Sequence, residues 1–161
     1  MSISTSEEKF GHELADMYDA EHRFLDAMGK MREMASDEKL QMLLETHMQE
    51  TEQHIANLED VFAEIGKEPE RQECMGAMGL VDEATKMMGE AGSAEIRDSI
   101  IAGAATKGEH YEIVGYADLI DGAEMMKKRK AVTLLTKNRE QELSTARKLE
   151  RISPRLGKAA A

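Results

Sequence analysis

The sequence is poor in the residues that build sheets, bridges and membrane spans. Among 161 residues there are one cysteine, two prolines, three tyrosines, three phenylalanines and no tryptophan. The lone cysteine, Cys74, has no second thiol with which to form an intramolecular disulfide or a thiolate zinc site. So few aromatics beside 33% charged residues exclude an all-β sandwich or barrel. No stretch approaches the roughly 18 apolar residues of a membrane span, and the amino terminus lacks the basic and apolar segments of an export signal. The expectation is a soluble, cytoplasmic protein with no membrane partner. Basic side chains are also in the minority, 21 against 32 acidic, and the formal charge of −11 repels the phosphates of nucleic acid. Nucleic acid is not an expected partner.

What remains is material for helices, including thirteen methionines. The length suits one domain, 1–161, with an ordered core over about residues 5–153 and a frayed tail over 154–161. Apolar residues recur at alternating steps of three and four in four segments. The first opens with Ser4, Thr5 or Ser6 as N-cap and runs to about Ala35, with Phe10, Leu14, Met17, Phe24, Met28 and Met31 on one seam. The second begins near Ser36, carries Leu40, Leu43, Leu58, Val61 and Ile65, and stops at Gly66 and Pro69. A long connection over 66–93 has room for a short helix from Leu80 to Met88. The third segment, about Ser93 to Glu124, has Ile101, Ala105, Leu119 and Ala123; the fourth, about Met126 to Ile152, has Leu135, Leu149 and Ile152 before Pro154. Short, long and short connections describe two antiparallel helix pairs joined by a crossover, an all-α, ferritin-like four-helix bundle.

Carboxylates interrupt these apolar seams. Glu21, Glu50, Glu109, Glu112 and Glu142 each fall near the middle of their segment, where an unpaired charge costs several kcal/mol of desolvation. Glu21 to Glu50 spans 29 positions and Glu112 to Glu142 spans 30; Glu21 to Glu112 spans 91 and Glu50 to Glu142 spans 92. One helical hairpin is in effect used twice. Carboxylates joined by one or two imidazoles suit two ions of iron or manganese at mid-bundle, with His47 and His54 as the candidate imidazoles. The competing reading puts the glutamates on solvated helix edges and the histidines among hydrogen-bonded packing residues.

The same residues resemble a known family. Asp16, Tyr18, Ala20 and Glu21 (D-x-Y-x-A-E), His47, Glu50 and Thr51 (H-x-x-E-T), Cys74 to Leu80 (C-x-x-M-x-G-L), and Glu109 to Ile113 followed by Tyr116 (E-H-Y-E-I-x-x-Y) resemble the ferritin-like YciF family of bacterial stress-associated proteins over about residues 7–150. Glu109-x-x-Glu112 also looks like the third-helix pair of rubrerythrins. The resemblance implies a ferritin-like subunit with a short extra helix in the crossover, a dinuclear metal centre and a homodimer, without an assigned reaction. Two departures stand out. The fourth helix has Gln141 then Glu142 where relatives pair two glutamates, and the E-x-x-H pattern is missing because Gln53 and Thr145 stand three residues after Glu50 and Glu142.

His47 matches the family motif and is slightly favoured as a ligand over His54; His110 lies beside the stripe, suited to orienting a carboxylate. Tyr18 precedes Glu21 by three residues, within reach of a metal-bound carboxylate, although core packing with a hydrogen bond is the favoured role. Met75, Met78, Met87 and Met88 near Cys74 invite a copper reading, but methionine is also the adaptable filler of helical cores. Cys74 is either a small packing residue or a reactive thiol. Function then divides between redox chemistry of iron with dioxygen or peroxide, ferrous oxidation included, and binding without turnover in iron sequestration or a structural role.

Overall fold

The computed structural model describes residues 3–161, and these form five helices: α1 (Ser6–Met34), α2 (Glu38–Glu64), α3 (Met75–Gly89), α4 (Ala94–Met125) and α5 (Arg129–Ala159). The fold is all-α, and no strand occurs among the described residues. Three of the four long helices start where a local side chain supplies a cap. Thr5 and Glu8 form a reciprocal capping box on α1, Asp37 caps α2 through Leu40 N–H, and Ser93 caps α4 through Ile96 N–H. The cap of α2 is thus Asp37, one residue beyond the expected Ser36. Gly66, at φ 73°, provides the left-handed exit from α2.

The four long helices pack as a closed ring, α1 on α2, α2 on α5, α5 on α4 and α4 on α1, with α3 laid across α1 and α4. A sevenfold register locks α1 against α4. Gly108, Gly115 and Gly122 face Phe24, Met17 and Phe10, so the two helices run antiparallel and large side chains of one enter hollows of the other. A Cβ at Gly122 would stand 2.8 Å from the Phe10 ring. On the opposite side α2 and α5 are antiparallel as well, since Asn57 bonds Asn138, His54 bonds Gln141 and Glu64 bonds Ala131 N–H. The connection between α2 and α4 must therefore travel the length of the molecule.

That crossover is pinned to α1. The buried carboxylate of Asp19 accepts from Arg23 at 2.5 Å, Arg71 at 2.8 Å and Cys74 N–H at 2.9 Å. The helix within it starts at Met75, five residues before the expected Leu80, because Cys74 supplies an unusual cap: its sulfur accepts from Ala77 N–H at 3.4 Å. Cys74 is fully buried, its sulfur lies 3.0 Å from the Tyr111 hydroxyl, and burial raises the thiol above its ordinary range. Of the nearby methionines, Met75 and Met87 are exposed, Met78 is half-buried and Met88 is buried in the core.

The expected frayed tail is helical instead. Pro154 lies inside α5, which continues to Ala159. Leu156 is buried among Met31, Leu40 and Ile101, and the Arg155 guanidinium grips Asp37 at 2.7 and 2.9 Å. Those contacts outweigh the one backbone bond that proline removes. Leu43, Ile65 and Ile152 are only partly buried, at the margins of their seams.

The apolar core is split. One cluster, with Phe10, Leu14, Leu58, Val61, Leu119 and Leu135, fills one end; another, with Met28, Leu40, Leu44, Ile101 and Leu149, fills the other. His54, Glu112 and Glu142 lie between them in the chain order of α2, α4 and α5, and Glu21 lies in α1 one turn before Phe24, the last residue of the first cluster on that helix. A polar layer divides two hydrophobic ones.

Candidate metal centre

Six side chains form the heart of that layer: Glu21 from α1, His47 and His54 from α2, Glu109 and Glu112 from α4, and Glu142 from α5, all at most 3% exposed. They fall into two groups with a common member. His47, Glu109, Glu112 and Glu142 offer ligand atoms within 4.8 Å of one another, and so do Glu21, His54 and Glu142. Glu142 belongs to both.

Contacts within the groups are close yet poorly aligned for hydrogen bonding. His47 Nε2 lies 3.0 Å from Glu109 Oε1 and 3.3 Å from Glu142 Oε2, while His54 Nδ1 lies 2.8 Å from Glu142 Oε1 and 3.4 Å from Glu21 Oε1. Among the described residues, seven buried side-chain nitrogen or oxygen atoms have no hydrogen-bond partner, and all but Arg97 Nε belong to this cluster. Orphaned atoms of this kind are costly in a dry core. Atoms that approach within 3 Å without pointing at one another converge on a common point between them, as ligands around a cation do.

Electrostatics tells the same story. Burial lowers the affinity of His54 for its proton, but Glu21 and Glu142 outweigh it and push the imidazole up to about 10. Burial also opposes the charge on His47, and Glu109, Glu50 and Glu142 reverse the effect. Burial holds Glu112 and Glu142 well above the ordinary carboxylate range; the neighbouring glutamates push Glu112 further up, and Glu109 and Glu21 do the same for Glu142 against the pull of the two imidazoles. Protons thus neutralise the cluster when cations do not. Four carboxylates, Glu21, Glu109, Glu112 and Glu142, carry the charge that two divalent ions would balance with both imidazoles neutral. The donor set fits the cofactor expected from the sequence.

The surroundings orient these groups. Glu50 is in neither group: its side chain is 22% exposed, and Oε2 lies 3.3 Å from His47 Nδ1 and 3.3 Å from the Thr145 hydroxyl that donates to it. It therefore occupies the position of a carboxylate that fixes a ligating histidine by its other nitrogen. His54 Nε2 is held in the same way by Gln141 Oε1 at 3.1 Å. The two missing E-x-x-H histidines are replaced by a pair on one helix, seven residues apart on the same face of α2, with ring centroids 6.3 Å apart.

Tyr18 and His110 stand elsewhere. Tyr18 donates to Glu59 at 2.8 Å, and His110 is exposed and pairs with Glu150 at 3.1 Å. The phenol at the centre is Tyr116, fully buried, whose hydroxyl donates to Glu21. Asn138 donates to that hydroxyl at 3.0 Å, Asn57 donates to Asn138 at 2.6 Å, and exposed Gln53 donates to Asn57 at 3.0 Å. Sequence reasoning missed Tyr116 and Asn57 as parts of the site. The signal for Tyr116 was present, because it follows Glu112 by four residues and Glu109 by seven on one helical stripe.

This all-helical protein with a buried glutamate and histidine cluster belongs to the family described as "Domain of unknown function (DUF892)", whose model matches residues 5–161. Protein YciF of Escherichia coli strain K12 is 35% identical over 150 residues, covering 92% of this chain and 90% of that protein. The crystal structure of the E. coli stress protein YciF superposes with a TM-score of 0.91 at 32% identity, covering 97% of this chain and 99% of that one. YcfI from Rhodopseudomonas palustris superposes with a TM-score of 0.90 at 35% identity, covering 92% and 95%.

Proposed function

We propose that this protein is a ferritin-like four-helix bundle holding two divalent ions of iron or manganese, and that it acts in the stress response on dioxygen or peroxide or in ferrous oxidation. The observation that carries the reading is Glu142, wholly buried, with both carboxylate oxygens lacking a hydrogen-bond partner and with membership of both candidate ligand groups. His47, Glu109 and Glu112 would hold one ion, Glu21 and His54 the other, and Glu142 would join them. Bound iron would supply one-electron steps between ferrous and ferric states.

The chain's own residues prepare that chemistry. Glu50 and Gln141 fix the imidazole rings, Tyr116 anchors Glu21, and two apolar layers exclude bulk water from the polar one. The likeness to a stress protein supports the cellular setting, and the absence of any described helix long and apolar enough to cross a membrane fits a cytoplasmic location. A homodimer is part of the same proposal, supported by Ile96, Val114 and Met125, which share an outer stripe of α4 and are 39%, 65% and 68% exposed.

Metal analysis after growth with iron and manganese tests the centre. About two ions per chain are expected in the native protein, about one in Glu21→Ala and in Glu109→Ala, and none retained in Glu142→Ala. An equal loss in all three, or a native protein that takes up no metal, would overturn the shared-ligand reading. Ferrous oxidation faster than the uncatalysed rate, lost in Glu142→Ala, assigns turnover; metal that only raises the melting temperature assigns storage or a structural role.

A further inference from the structure

A cavity reaches the candidate centre from the side covered by α3. Phe24, Met28 and Met31 of α1, Leu80 and Ala84 of α3 and Ala105 of α4 wall it, and it ends against His47, Glu109 and Glu112. The space open to the centre of a water-sized molecule is about 20 Å³, room for one small molecule. Nothing in the metal reading requires this hollow, and close packing would ordinarily fill it.

Its walls select the occupant. Along the stretch among Phe24, Met28, Met31, Leu80 and Ala84 a water or peroxide molecule leaves its donors and acceptors without partners until it reaches the carboxylates at the inner end, whereas a diatomic gas leaves none unmade. The opposite face of the molecule offers the contrast. There a wider groove, with apolar Met42, Leu43 and Ile152 beside the charged Glu50, Lys148 and Arg151, also reaches His47. One imidazole thus stands at the inner end of a narrow approach without charged walls on one side and a wider groove that carries charged side chains on the other. The helix in the crossover acquires a task beyond connection: by packing across α1 and α4 it lines the outer side of this approach with Leu80, Val81 and Ala84.

We propose that this cavity is a dioxygen-binding pocket, lined on its outer side by α3, that makes dioxygen rather than peroxide the molecule delivered to the centre along this path. Its purpose rests on the metal reading, but the pocket itself does not need the metal, so the two are separately testable. The first measurement is xenon binding to the metal-free full-length protein, followed by ¹²⁹Xe resonance and by the methyl signals of labelled methionine and alanine. Saturable shifts at Met28, Met31, Ala84 and Ala105 are expected, with at least a tenfold loss of xenon affinity in both Ala84→Leu and Ala105→Leu, each checked for native helical content. In the metal-loaded protein those variants should keep two ions per chain, raise the KM for dioxygen several-fold and leave peroxide-driven oxidation unchanged. Absence of xenon shifts, xenon affinity undiminished in both filled variants, or peroxide rates that fall in step with dioxygen rates would each overturn the proposal. A protein that binds xenon at these methyls but no metal would sink the metal reading and retain the pocket.

Discussion

Glu112 is a residue on which metal and its absence make opposite demands. It is 2% exposed, Oε1 has no hydrogen-bond partner, and burial together with the charges of Glu142, Glu21 and Glu109 holds it well above the carboxyl value of 4.5. An acid whose folded pKa is raised costs stability at every pH above its unfolded value, about 1.4 kcal/mol per unit. At pH 7 the cost has a ceiling of about 3 kcal/mol, reached when the group stays protonated. Glu112→Gln keeps the shape, supplies an N–H that can donate to Glu21 as the protonated acid does, and removes the cost. In a chain of this size each kcal/mol moves the melting temperature by roughly 2–4 °C, so the metal-free variant should melt higher than the native protein, by up to roughly 12 °C.

With metal the order should reverse. Each ion at a hundred times its Kd stabilises the folded state by about 2.7 kcal/mol, and a neutral amide is a poor substitute for a carboxylate ligand. Thermal melts by circular dichroism, in chelator and then with manganese or with anaerobic ferrous iron, should show the variant gaining less than the native protein, by about one ion's contribution. A variant that melts lower than the native protein in chelator, or that gains as much from metal, would refute the account of Glu112 as a ligand held neutral for want of a cation.

Further outcomes follow from neighbouring contacts. Glu50→Ala should still take up two ions at saturating metal but bind the ion on His47 10–100-fold more weakly, as measured by competition with a chelator; loss of a whole ion would make Glu50 a ligand itself. The metal-free protein should lose stability from pH 5 to pH 9, because the cost at Glu112 and Glu142 grows above 4.5 while the contribution of His54, complete below 6.5, disappears towards 10; a melting temperature that rises over this range would contradict the protonated cluster. Ending the chain after Ser153 removes the buried Leu156, worth about 2 kcal/mol, and the half-exposed Arg155 pair, worth at most about 1 kcal/mol, so melts should fall by roughly 6–12 °C, whereas a frayed tail would leave them unchanged.

Much of the arrangement was legible because helical periodicity and buried charge are both local signals. Glu21, Glu109, Glu112 and Glu142 stand out by occupying apolar stripes, and the duplicated spacing of Glu21, Glu50, Glu112 and Glu142 points to one level along the bundle. Glu50 fits that spacing equally well, yet it is partly exposed and braces His47, since a repeat in sequence sets height along a helix and leaves the last ~2 Å of side-chain reach undecided. The histidines were the converse case. Neither occupies the usual E-x-x-H position, but seven residues amount to nearly two turns, so His47 and His54 both lean inward from α2 and meet Glu142 of α5. Tails and caps were the least legible parts: Cys74 caps a helix whose start Asp19 holds by its backbone, and residues 154–159 stay helical because Leu156 is buried and Arg155 pairs with Asp37, more than a hundred positions away.

The same distinction explains why the buried glutamate and histidine cluster and the apolar cavity differ in what the sequence betrays. A cluster of ionisable groups in a core must be compensated, so each member announces itself by violating the pattern around it. A cavity violates nothing in sequence, because Met28, Ala84 and Ala105 are ordinary core residues taken one at a time. Only the ring of long helices, with α3 lying across α1 and α4, leaves these side chains too small to fill the space above Glu109 and Glu112. Filling that space from two different helices, with Ala84→Leu and Ala105→Leu, therefore separates the polar layer, which chain chemistry dictates, from the hollow beside it, which arises only from packing.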